Sequence, residues 1–203
     1  MKAAQQNLPE ALDHVLYEFW MLYVTKTRLC QGIPLGALHN VYLESFVIHA
    51  RCIVEFFCDP DDRKNKMKPR HFLPNYPCQP GRHKDLGRMH QEVAHLTYAR
   101  KKPGEVRYWP VGEVASPLFS LALDFLRAID SNDALMSYSD NRARTEELIQ
   151  KFEVELNTSN VPDAPVQTFG VDSIAPLATT SVPVSFGIYS ERPSAKPGET
   201  HSP

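Results

Sequence analysis

Apolar side chains recur every three or four residues over long stretches of the chain, the spacing that puts them on one side of a helix. Leu8, Leu12, Val15, Leu16, Phe19 and Leu22 form the first stripe. They predict a helix ending near Leu29, with Asn7 as its cap, Pro9 in its first turn and Glu10 reaching back as in a capping box. The run Gln31-Gly32-Ile33-Pro34 breaks it. Leu35, Leu38, Tyr42, Phe46, His49, Ile53, Phe56 and Phe57 carry a second helix, and Leu86, Met89, Val93 and Leu96 a third that ends before Pro103-Gly104. A fourth follows Ser116-Pro117, read as a cap and a first-position proline, with Leu118, Leu121, Phe125 and Ile129 as its stripe. The last spans about Asp133 to Leu156, broken or bent near Ser137–Asp140, and Arg142 and Glu146 stand four apart on it as an ion pair. No strand-like alternation precedes the C-terminal region, where Ser181 to Tyr189 has the pattern of a short strand. The expected fold is all-α, a bundle of four to five helices.

Two stretches fall outside this periodicity. A long loop between the second and third helices holds Pro60, Pro69, Pro74, Pro77 and Pro80. Loops of that length inside a domain tend to be functional or mobile, and Phe72 and Tyr76 are expected to anchor it, stacking on a base being the alternative. After residue 156 the pattern stops and seven of the chain's 17 prolines follow. The expected organisation is a helical domain over residues 1–156 and a disordered Pro-rich tail over 157–203. Phe169, Ile174, Val182, Phe186 and Tyr189 give that tail enough apolar surface to dock on a protein partner.

Charge changes the picture. The net charge is only −2, yet residues 63–108 hold twelve Lys and Arg against three acids, a local +9 inside an acidic remainder. A basic centre in an acidic frame suits a phosphate-binding face. Its nucleic-acid-binding candidates are Arg63, Lys64, Lys66, Lys68 and Arg70 in the loop, with Arg100, Lys101 and Lys102 at the end of the third helix. The four cysteines, Cys30, Cys52, Cys58 and Cys78, have no CxxC spacing. Cys52 and Cys58 are expected in the core, as is His49, held by a hydrogen bond. Cys58, His71, Cys78 and His83 match no zinc spacing, so neither metal nor cofactor is expected. No apolar run has the length of a signal sequence or a membrane span, and the expected location is cytoplasmic, with free thiols.

The third helix carries the candidate chemistry. Arg88 and His95 are two turns apart and share one side, with Glu92 between them. At ~100° per residue this set borders the buried stripe of Leu86, Met89, Val93 and Leu96. A histidine titrates near neutrality and can move a proton, while an arginine stays cationic and offers a planar fork to phosphate oxygens. Such a pair can cut RNA without metal. Glu92 can orient either group or pair with Arg88.

This R-x6-H element on the third long helix of an all-helical chain resembles the hallmark of the HEPN superfamily. The surroundings also resemble small bacterial HEPN-like proteins: Ala94-His95-Leu96-Thr97-Tyr98-Ala99-Arg100, and Leu43-Glu44-Ser45-Phe46-Val47-Ile48-His49-Ala50-Arg51 with Phe56-Phe57. The resemblance covers roughly residues 8–155, without the tail. It implies a metal-independent endoribonuclease, of toxin or defence type, acting as a homodimer in which Arg88 and His95 of two subunits meet in one cleft. His95 would be the general acid/base and Arg88 the phosphate clamp. Other members are non-catalytic modules that bind nucleotide, RNA or a protein. The position after the motif arginine, often polar in catalytic members, is Met89 here.

Overall fold

The computed structural model describes residues 7–33, 37–58, 66–77, 89, 107–158 and 166–168. Over these residues the chain is an all-α bundle. Four long helices form it: α1 (Leu8–Cys30), α2 (Ala37–Cys58), α4 (Val111–Asp130) and α5 (Asn141–Thr158). A short helix, α3 (Pro69–Phe72), lies between α2 and α4, and a 3-10 turn at Leu135–Ser137 separates α4 from α5. Helix α1 packs against each of the other three long helices. Its stripe of Leu12, Val15, Leu16, Phe19, Leu22 and Leu29 is buried, as the spacing predicts.

The ends of α1 follow from local chemistry. Gly32 has φ +77°, a conformation that costs glycine little and other residues more, and it turns the chain out of the helix. At the start, the Asn7 carbonyl accepts from the Ala11 N–H at 2.9 Å. The Asn7 side chain does not cap; its amide donates to the Glu10 carboxylate at 3.2 Å, so the expected capping box is replaced by a side-chain pair.

Helix α4 begins at Val111, well before Ser116-Pro117. Pro110 favours an extended Trp109, and the chain turns helical directly after it. Pro117 therefore stands inside the helix, where it lacks an N–H for the backbone ladder. Burial of Val111, Val114, Ala115 and Leu118 around it offsets that loss. The last helix is broken where expected: α5 begins at Asn141 rather than near Asp133, and Ser139 takes φ +45° in the break. Arg142 pairs with Asp133 across this turn at 2.6 Å, a pairing the i,i+4 spacing to Glu146 did not anticipate.

Two three-residue strands depart from the expected pattern. β1 (Arg107–Trp109) and β2 (Val166–Thr168) pair antiparallel, with Tyr108 opposite Gln167. Helix α5 runs to Thr158 and β2 adds ladder bonds beyond it, so ordered structure extends past residue 156 into the stretch expected to be disordered. Trp109 is fully buried, which explains why this connector is pinned. The candidate strand at 181–189 lies outside the described residues.

The α1–α5 seam is marked by three polar ties. The buried Asn141 amide donates to the Pro9 carbonyl at 2.8 Å, Arg144 pairs with Asp13, and Lys26 pairs with Glu155 at 2.6 Å. Position numbers rise together along both helices, so α1 and α5 run parallel.

The core is rich in aromatic rings. Phe125 of α4 meets Phe19, Phe56, Phe57, Phe72 and Tyr76 edge-on, at centroid distances from 5.4 to 6.2 Å. Phe72 and Tyr76 thus anchor their segment, as expected. Replacing Phe125 with alanine removes every one of these contacts. The expected cost is about 3–5 kcal/mol, measured by denaturant unfolding, with faster amide exchange over residues 66–77. Val154→Ala, at an exposed position, is expected to change stability by less than about 0.5 kcal/mol.

Candidate functional site

Of the residues singled out on the third predicted helix, Arg88, Glu92 and His95 lie outside the described residues. Met89 is described: it is helical and 0% exposed. That matches its place on the predicted buried stripe. Among the basic candidates, Arg63, Lys64, Arg100, Lys101 and Lys102 also lie outside the described residues. The other three can be placed. Arg70 is exposed on α3. Lys66 approaches the Glu55 carboxylate at 3.4 Å. Lys68 is only 6% exposed, and its ammonium donates to the Glu55 backbone carbonyl at 3.2 Å. Lys66 and Lys68 therefore fasten the start of this segment to α2, and Lys68 faces protein rather than solvent.

The described residues assemble a polar cluster whose members the sequence did not bring together. Helix α1 supplies His14 and Glu18, α2 supplies His49, Arg51, Cys52 and Glu55, and the following segment supplies Lys66 and Met67. His49 Nδ1 lies 2.7 Å from Glu18 Oε2, and its ring stands edge-on to Tyr17 at 5.8 Å. This is the hydrogen-bonded, buried histidine expected from its apolar stripe. Arg51 Nε donates to Glu55 Oε1 at 2.9 Å. Between these pairs opens a cleft of about 220 Å³. Val15, Phe19, Ile53 and Phe56 give it an apolar lining, and His14, Glu18, Cys52, Glu55, Lys66 and Met67 complete it.

Electrostatics in the cleft follow from burial and from the two carboxylates. Cys52 is an exposed residue, in contrast to the core position expected for it, while Cys58 is half-buried against the core. The Cys52 thiol is nonetheless partly desolvated in the cleft. Desolvation first, and then the charges of Glu18 and Glu55, push it up to about 11. That direction disfavours the thiolate, so Cys52 is a poor nucleophile. Burial pushes the Glu55 carboxyl up, but the hydrogen bonds and charges of Arg51 and Lys66 outweigh it and hold the group below its ordinary value. The cluster is thus suited to binding and fastening rather than to nucleophilic chemistry. Sequence reasoning had one usable signal for it: His49 is a polar member of an apolar stripe, and Glu18, Cys52 and Glu55 flank the stripes of their helices. The pairing of one helix with the other could not be read from either stripe.

Among the described residues no group of three or more His, Cys, Asp or Glu is placed to hold a metal ion. No described helix is long and apolar enough to cross a membrane. Comparison of the chain with protein-family models, with curated proteins and with solved structures gives no match.

Two measurements probe the cluster. Alkylation of Cys52 at pH 8 is expected to be slow, since a thiol titrating near 11 is about one part in a thousand thiolate there. Glu18→Gln removes a repelling charge and is expected to raise that rate several-fold, followed by peptide mapping. Glu55 has a depressed folded pKa, so its contribution to stability is present above the unfolded carboxylate value and is lost as pH falls through the folded one. Glu55→Gln is therefore expected to flatten the fall in stability on acidification below about pH 4.5, measured by denaturant unfolding at a series of pH values.

Proposed function

We propose that the chain is a HEPN-type, metal-independent endoribonuclease. The observation that carries the reading is the pattern of Arg88, Glu92 and His95 on one side of the third predicted helix, and Met89, helical and fully buried, fits the apolar stripe predicted beside them. The R-x6-H spacing and the +9 segment support the same reading. In it, His95 takes the proton of an RNA 2′-hydroxyl and then protonates the departing 5′-oxygen, as a histidine titrating near neutrality can. The 2′-oxygen attacks phosphorus, the bond to the 5′-oxygen breaks, and a 2′,3′-cyclic phosphate remains. Arg88 offsets the added negative charge on the phosphate oxygens. Glu92 orients one of the two. Two copies bring two such pairs into one cleft, and Arg63, Lys64, Arg70, Arg100, Lys101 and Lys102 attract the RNA backbone. A role as a cytoplasmic toxin or defence protein belongs to this reading, as does a protein partner on the C-terminal segment.

A second reading has a specific observation behind it. Met89 stands where catalytic members of the superfamily often carry a polar residue, and its burial commits that position to packing. The same surface would then bind nucleotide, RNA or a protein without cutting.

Purified protein incubated with RNA in EDTA separates the two. The nuclease reading expects cleavage to 2′,3′-cyclic ends, falling at least about a hundredfold in both His95→Ala and Arg88→Ala. Cleavage that survives both substitutions refutes it. Salt-dependent RNA binding with no cleavage supports the second reading instead.

A further inference from the structure

The cleft between α1 and α2 is built in two tiers. Its floor is buried and apolar, with Val15 and Phe19 from α1 and Ile53 and Phe56 from α2. Its rim is polar. His14 and Glu18 stand one turn apart on α1, Cys52 and Glu55 one turn apart on α2, and Lys66 and Met67 close one side. His14, Cys52 and Met67 are exposed, so the space opens to solvent. An apolar floor under a few convergent polar groups is the make-up of small-molecule sites.

Volume sets the size of what fits. A dry cavity of ~150 Å³ lined by aliphatic and aromatic groups takes up benzene, and this cleft holds about 220 Å³. It has room for one six-membered ring and a short arm. Phe19 and Phe56 meet edge-on at 6.4 Å, so a ring entering above them finds aromatic partners.

Charge decides what the arm carries. The two Glu55 carboxylate oxygens are engaged by Arg51 at 2.9 Å and Lys66 at 3.4 Å. Glu18 has no lysine or arginine against it among the described residues; its partner is His49, which meets Oε2 at 2.7 Å. A carboxylate accepts at about four positions, so Glu18 can take a further donor. The Cys52 thiol reports the local potential: after burial, the charges of Glu18 and Glu55 push it up, and Arg51 offsets only part of that. What disfavours a thiolate there disfavours any bound anion and favours a cation.

We infer that the α1–α2 cleft binds a small arylalkyl amine, with its ring on Val15, Phe19, Ile53 and Phe56 and its protonated nitrogen on Glu18. Glu55 instead keeps Lys66, and with it the Met67 wall, in place. The inference does not rest on RNA cleavage. It is read without RNA, so its failure and that of the nuclease reading are separately visible.

The test titrates the full chain with 2-phenylethylamine, 2-phenylethanol and 3-phenylpropionate, which share a ring and an arm and carry a positive, no and a negative charge. Calorimetry and NMR follow binding. The amine is expected to bind with a Kd below about 1 mM, about tenfold tighter than the alcohol, with the acid weakest. Bound amine is expected to slow alkylation of Cys52 and leave that of exposed Cys30 unchanged. Glu18→Gln is expected to bring the amine down to the affinity of the alcohol while the alcohol binds as before, which shows that the cleft is intact. Cys52→Trp, at an exposed position, is expected to block the mouth and abolish binding of both with unchanged helix content. No saturable binding of the amine, an acid that binds as tightly as the amine, or an amine affinity unchanged in Glu18→Gln or in Cys52→Trp overturns the inference.

Discussion

The rings that meet Phe125 hold this bundle together. An aromatic ring is electron-rich on its faces and electron-poor at its edge, so edge-on contacts are favoured over flat sandwiches. Phe125 makes five of them, and they reach α1, α2, α3 and the segment after α3. One side chain of α4 thereby touches nearly every element on its side of the core. Phe19 plays the matching part from α1, stacking flat on Phe57 and meeting Phe152 of α5 at an angle. Because net stability of a domain is only about 5–15 kcal/mol, a hub of this kind decides whether the remaining pieces have a common place to pack.

The second organising constraint is electrostatic, at Glu55. Its carboxylate takes Arg51 and Lys66, and its backbone carbonyl takes Lys68. Together with Phe72 and Tyr76 in the aromatic cluster, these bonds turn a proline-rich stretch into a strap laid over α2. Part of what looks in sequence like free cationic charge is therefore spent inside the protein. Coulomb attraction to nucleic acid depends on which lysines remain at the surface, and burial removes Lys68 from that set.

How much could be read beforehand follows from which forces are local. Stripes at three- and four-residue spacing are local, and they located α1, α2 and the bodies of α4 and α5 and the burial of His49 and Met89, while the anchoring by Phe72 and Tyr76 was legible from aromatic rings in an otherwise polar loop. The start of α4 was misplaced because Ser116-Pro117 imitates a helix start, while burial of Val111 and Val114 favours an earlier one. The strand pair was missed because three residues are too few for alternation to register, and because β1 and β2 owe their existence to each other across more than fifty positions. Cys52 was misassigned by its neighbours: a polarizable thiol on an apolar helix reads as core, yet its position falls on the outward arc. Arg88 and His95 lie outside the described residues, and of that predicted helix only Met89 is placed in the fold.

The parallel α1–α5 seam has a consequence for the backbone dipoles. Parallel neighbours align the positive ends of both helices at one end of the seam and the negative ends at the other, an unfavourable arrangement of partial charges. Helix α1 suits its own dipole, with Glu10 and Asp13 near its start and Lys26 and Arg28 near its end. Helix α5 is charged the opposite way, with Arg142 and Arg144 in its first turn and Glu153 and Glu155 near its end. Each of these charges on α5 opposes the dipole beneath it. The ties Arg144–Asp13 and Lys26–Glu155 set α5's charges against α1's at both ends, and Arg142–Asp133 and Arg127–Glu153 do the same toward the α4 side. Helix α5 is thus a segment whose own ends argue against helix formation, and it takes its conformation from the surfaces it lies on.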